Sequence, residues 1–102
     1  MKWGLRAGFI VLRNYINKYG LNTIEKIIKR WAPSNENNTK EYIRRVCEQT
    51  GFDRTTSIDT SNSCQMILLV EAMCVVENGL KVPLEDIVMG WLLATHSIID
   101  NI

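Results

Sequence analysis

From Leu5 to Tyr19 the apolar residues Leu5, Phe9, Leu12, Ile16 and Tyr19 recur at intervals of three and four, which places them on one stripe of a helix. Gly20 ends that stripe as a left-handed cap. Asn22 followed three residues on by Glu25 reads as a capping box, and it opens a second helix in which Ile24, Ile27, Ile28 and Trp31 share a face. Pro33 closes it. Asn38 with Glu41 repeats the capping pattern and predicts a third helix to about Thr50, with Tyr42, Ile43, Val46 and Cys47 inward and Gly51 at its end.

Residues 52–63 are rich in Asp, Thr and Ser, and read as a loop pinned by Phe52 and Ile58. The segment from Cys64 to Glu77 is apolar around nearly its whole circumference, as befits the central helix of a small bundle. Asn78 and Gly79 end it. Pro83 fits the first turn of a fifth helix, with Glu85 and Asp86 at the positive end of its dipole and Leu84, Ile87, Val88, Trp91, Leu92 and Ile98 as its apolar set. No segment keeps a period of two. The pattern predicts an all-α fold: one compact domain of about five helices over residues 1–102.

Composition narrows the function classes more than it selects one. A formal net charge of +1 gives no electrostatic case for nucleic acid or an anionic membrane. Lys26, Lys29 and Arg30 sit near Glu25, and Arg44 and Arg45 lie between Glu41 and Glu48, the arrangement of solvated helix faces. The apolar run from Met66 to Val76 is broken by Glu71 and is too short to span a bilayer. No signal peptide is evident, because Arg6 and Arg13 bracket the apolar stretch from Ala7 to Leu12. A cytoplasmic product as encoded is the expectation. Cys47, Cys64 and Cys74 form no CxxC and have a single histidine, His96, to help them, so neither a zinc site nor a disulfide framework is expected. The scattered glycines, Gly90 among them, make no phosphate-binding loop, and no cofactor is expected. His96 has no Ser or Cys at a spacing that would build a nucleophilic triad.

Two carboxylates stand out. Glu77, at the end of an apolar helix, combines desolvation with the negative end of a helix dipole, the setting that makes a general acid; its plainer role is a solvated last-turn residue. Glu71 is the one charge inside an apolar run, and pairing with Arg6 or Arg13 would accommodate it. A glycosidase needs a second carboxylate across the scissile bond, for which Glu36, Asp59 and Asp86 are open choices. Trp31, Asn35, Asn37, Asn38 and Tyr42 supply the aromatic surface and amides that hold a sugar or an N-acetyl group. The same Trp31 and Tyr42 also read as core residues, with Asn38 as a cap.

Taken together, Trp3-Gly4-Leu5-Arg6-Ala7, Leu12-Arg13-Asn14-Tyr15, Tyr19-Gly20-Leu21-Asn22-Thr23-Ile24, Trp31-Ala32-Pro33, Glu36-Asn37-Asn38-Thr39 and Tyr42-Ile43 resemble the prophage-associated virion structural protein family. The likeness continues through Gly51, Ile58-Asp59 and Glu77-Asn78-Gly79. It implies a phage-derived helical domain, lysozyme-like in relationship and tied to the cell wall. Peptidoglycan and virion proteins are then the implied partners, and a virion or cell-wall site the implied destination after release. Glu36 and Glu77 are the carboxylates in shared motifs. Trp31, Asn35, Asn37, Tyr42 and Asn78 are the candidate ligand-binding set, with Trp31, Asn35, Glu36 and Asn37 as one wall of an expected cleft and Glu77 as the other. Two departures accompany the likeness. An upstream segment with an Asn-Pro-Gly-Asn turn is usual in the family, so the chain is expected to be either a C-terminal fragment of a longer domain or a member lacking half of a site. Ser34 also stands where a second Pro is common. Three functions stay open: a glycan-binding structural domain, a lysozyme-type hydrolase or transglycosylase with Glu77 as acid, and a purely structural interaction module. Oligomeric state is open as well.

Overall fold

A computed structural model describes residues 2–34 and 38–96, with side chains from residue 4 onward. The expected roles of Asn35, Glu36, Asn37 and Ile98 fall outside the described residues. Among the described residues five helices follow in order: α1 (Lys2–Tyr19), α2 (Ile24–Trp31), α3 (Thr39–Thr50), α4 (Ser63–Asn78) and α5 (Leu84–His96). The all-α expectation holds, with α4 packed against α1, α3 and α5.

The core forms where the apolar stripes of the five helices meet. Phe9 and Leu12 of α1, Ile24, Ile27 and Ile28 of α2, Val46 of α3, Met66 and Leu69 of α4 and Ile87 of α5 are all essentially inaccessible to solvent. The tightest joint is between α1 and α5. Phe9 meets Trp91 edge to face, with ring centroids 5.2 Å apart, and a Cβ placed on Gly90 would stand 2.7 Å from the Leu5 Cβ. Gly90, grouped in the sequence with glycines mostly at helix ends, is thus mid-helix and there because α1 leaves no room for a side chain. Ser63 at the start of α4 accepts a hydrogen bond from the Trp91 indole at 3.1 Å, fixing the other edge of that ring.

Several local expectations need correction. The α2 cap is Thr23, whose hydroxyl accepts from the Lys26 amide; it is not Asn22. The Asn22 carbonyl accepts from Ile58 N at 2.7 Å, and Thr23 forms an isolated antiparallel bridge with Ser57, so the chain is still extended at Asn22 and the cap moves one residue on. Those bonds, and Glu25 N to Arg54 O, lash the 52–62 loop to the start of α2. Ile58 is buried and Phe52 packs on the core, as expected. Tyr19 is 63% exposed: it joins Tyr15 beneath the Arg30 guanidinium, outside the core. Leu84 and Leu92 are also exposed, because α5 turns Ile87, Gly90, Trp91 and Ala94 inward. Glu71 is half-buried but makes no ion pair with Arg6 or Arg13. The Asn38 cap with the Glu41 amide, and the left-handed Gly51 and Gly79 that follow α3 and α4, stand as the sequence predicts. Among the described residues no helix is long and apolar enough to cross a membrane.

Candidate functional site

Three helix segments bring polar side chains to one carboxylate. Trp31 is the last residue of α2, Tyr42 lies in the first turns of α3, and Glu77 is next to last in α4. The Pro33 stop and the Asn38 restart fold the chain back between α2 and α3, and Thr39 stitches the turn by donating its buried hydroxyl to the Ala32 carbonyl. Trp31 Nε1 donates to Glu77 Oε1 at 3.1 Å, and the Tyr42 hydroxyl donates to the same oxygen at 3.1 Å. One carboxylate oxygen therefore ties the ends of three helices together.

The electrostatics of the node follow from its packing. Burial pushes the Tyr42 phenol well above the ordinary tyrosine range, and the Glu77 charge and its hydrogen bond push the same way, against a smaller opposing effect from Trp31. Cys74, three residues before Glu77, is raised by burial first and then by the Glu77 and Glu71 charges, so its thiol is not activated. Glu77 itself is exposed at the helix end, in the solvated last-turn setting that is the plainer of its two sequence readings.

Two depressions flank Glu77. A cleft of about 150 Å³ has Gly4, Leu5, Gly8 and Leu12 of α1 on one side, Val70, Met73, Cys74, Glu77 and Asn78 of α4 on the other, and Trp31 at its rim. A shallower one of about 250 Å³ is lined by Asn38, Glu41, Tyr42, Arg45, Val76 and Glu77. The expected binding set is therefore divided. Trp31 and Asn78 face the first, Tyr42 the second, and Glu77 stands between. Glu41, which the sequence marks as a capping residue on a solvated charged face, is the second carboxylate of the shallower depression. Its hydrogen bonds to Arg44 hold it below the usual carboxylate range. Asp59 instead closes a loop turn by accepting from Ser61 N and Oγ, and neither it nor Asp86 lines either of these two depressions.

A larger groove of about 910 Å³ lies across α2 and α3, with Lys29, Lys40, Arg44 and Arg54 above a floor that includes Ile43 and Cys47. Lys29 pairs with Glu25 at 3.1 Å and Arg44 with Glu41 and Glu48, so much of its positive charge is already answered within the helices. Among the described residues no group of His, Cys, Asp and Glu could hold a metal ion.

Over 76 residues the chain is 45% identical to Protein P5 of Pseudoalteromonas phage PM2. The chain is homologous to a phage protein. The aligned part covers 74% of this chain and 46% of the relative, so the chain spans about half the length of the relative it matches. No family model and no solved structure matches. The phage connection expected from the sequence is thereby supported, and its lysozyme-like part is not.

The sequence expectation sets Trp31 and Glu77 across one cleft, and both line the cleft beside α1. The hydrogen bonds from Trp31 and Tyr42 to a single Glu77 oxygen lie beyond that expectation. A signal did exist: an indole, a phenol and a carboxylate, each within a turn or so of a helix end, in a bundle short enough for those ends to meet. Gly4 and Gly8, one helical turn apart, similarly marked the α1 face that leaves the cleft open.

Proposed function

We propose that this chain is a structural domain of a phage-derived protein, holding its shape and presenting surfaces to neighbours without cleaving a substrate. The observation that supports this reading is the shared acceptor: Trp31 and Tyr42 both donate to Glu77 Oε1 at 3.1 Å. A general acid must deliver a proton to a leaving group. This carboxylate instead receives two hydrogen bonds and braces three helices. Virion proteins are then its natural neighbours.

One observation favours a second reading. Trp31, Glu77 and Asn78 line a single small cleft whose other walls are apolar. An N-acetylated glycan such as peptidoglycan could seat an acetyl methyl there and bond its amide to the polar rim.

Two assays separate these readings from the hydrolase. Applied to a suspension of bacterial cell walls, the purified protein should leave turbidity unchanged. Glu77→Leu should lose about 1–3 kcal/mol of stability in urea titration, since two donors lose their acceptor. Clearing by the wild type, abolished in Glu77→Gln with stability intact, would overturn the structural reading. For the glycan, N-acetylglucosamine oligomers should shift the Trp31 amide and indole resonances, and unchanged resonances would remove that reading.

A further inference from the structure

The outer face of α5 has a symmetry that neither the core nor the Glu77 node uses. Ile87, Gly90, Trp91 and Ala94 point inward, which turns Glu85, Met89, Leu92 and His96 toward solvent along one line of the helix. Met89 is 42% and Leu92 38% exposed, at the middle of a helix that carries an exposed acid at one end of this line and an exposed histidine at the other. The order is self-complementary about the midpoint between Gly90 and Trp91. Glu85 lies as far before that point as His96 lies after it, and the same is true of Met89 and Leu92.

The geometry points to a second copy of this chain as the occupant of this face, with the two α5 helices antiparallel across a two-fold axis. In that arrangement Met89 packs on Leu92 of the second copy, and the acidic end of each line meets the histidine end of the other. The match of a carboxylate acceptor with an imidazole donor therefore selects the antiparallel register, and a two-fold axis repeats each contact. A parallel pairing would set Glu85 against Glu85. The apolar centre is small, so the dimer is weak, with a dissociation constant on the order of 10–100 µM.

Sedimentation equilibrium across that concentration range tests the proposal. The wild type should move from monomer toward dimer, and Leu92→Glu should remain monomeric with unchanged far-ultraviolet circular dichroism. Glu85→Lys should weaken association about tenfold by removing both symmetry-related carboxylate acceptors. Combining Glu85→Lys with His96→Glu should restore association, because donor and acceptor then meet again across the axis with their places exchanged. A wild type that is monomeric throughout would overturn the proposal, and its co-flotation with lipid vesicles would assign the face to a membrane surface instead. A doubly exchanged variant as weak as Glu85→Lys alone would equally overturn the antiparallel register.

Discussion

The α1–α5 joint and the α2–α3–α4 joint hold the same small bundle together by opposite means. The first is apolar and tight: Phe9 against the edge of Trp91, and Gly90 pressed on Leu5 with no space for a methyl group. The second is polar and open, with Trp31 and Tyr42 converging on an exposed Glu77 between two depressions. Shape complementarity fixes one, and hydrogen-bond geometry fixes the other. An apolar joint responds to volume and is largely indifferent to pH. A polar joint responds to protonation and to the loss of one acceptor, and its openness leaves room beside it for a ligand.

Substitutions that read volume and charge separately sharpen this contrast. Gly90→Ala should cost about 1–3 kcal/mol, since its Cβ would overlap the Leu5 Cβ and force the two helices apart; urea denaturation measures it. The polar joint should respond to alkali. Tyr42 holds its proton more tightly in the folded protein than in the unfolded chain, so the stabilisation is fully present below the unfolded tyrosine value near pH 10 and is lost as pH rises above it. Between about pH 10 and 11, wild type should lose up to about 1 kcal/mol more than Tyr42→Phe, whose phenylalanine cannot ionise. Parallel denaturation curves for the two proteins across that interval would remove the role given to the phenol. The smallest effect is expected at Gly8. There a Cβ meets nothing within 4 Å, so Gly8→Ala should be neutral or stabilising by up to about 1 kcal/mol through helix propensity. A cost equal to that of Gly90→Ala would mean that α1 is packed as tightly over the cleft as it is against α5.

The helices were legible in the sequence because their signals are local. Asn38 with Glu41, Gly51, Gly79 and the spacing of Ile24, Ile27 and Ile28 each act within a turn or two of chain. Where the structure departs from these local signals, a distant segment intervenes. Asn22 lost the cap to Thr23 because residues 57–58 pair with it, and Tyr19 left the core because Arg30 gathers it with Tyr15. Leu84 and Leu92 face outward because the close approach of Leu5 to Gly90 decides which side of α5 is buried. Of the site, the meeting of Trp31 and Glu77 across one cleft was legible, and the shared hydrogen-bond acceptor was not. Nothing local in the sequence announces that Glu77 accepts from residues 46 and 35 positions away. That meeting is a product of the tertiary fold.

The central claim is that Glu77 braces the three helix ends, and a double-mutant cycle in urea with Tyr42→Phe, Glu77→Ala and the combined variant tests it most directly. The bond should appear as a coupling of about 1 kcal/mol, with the double variant less destabilised than the sum of the single ones. Strict additivity would contradict it, leaving Tyr42 and Glu77 as neighbours that do not support each other.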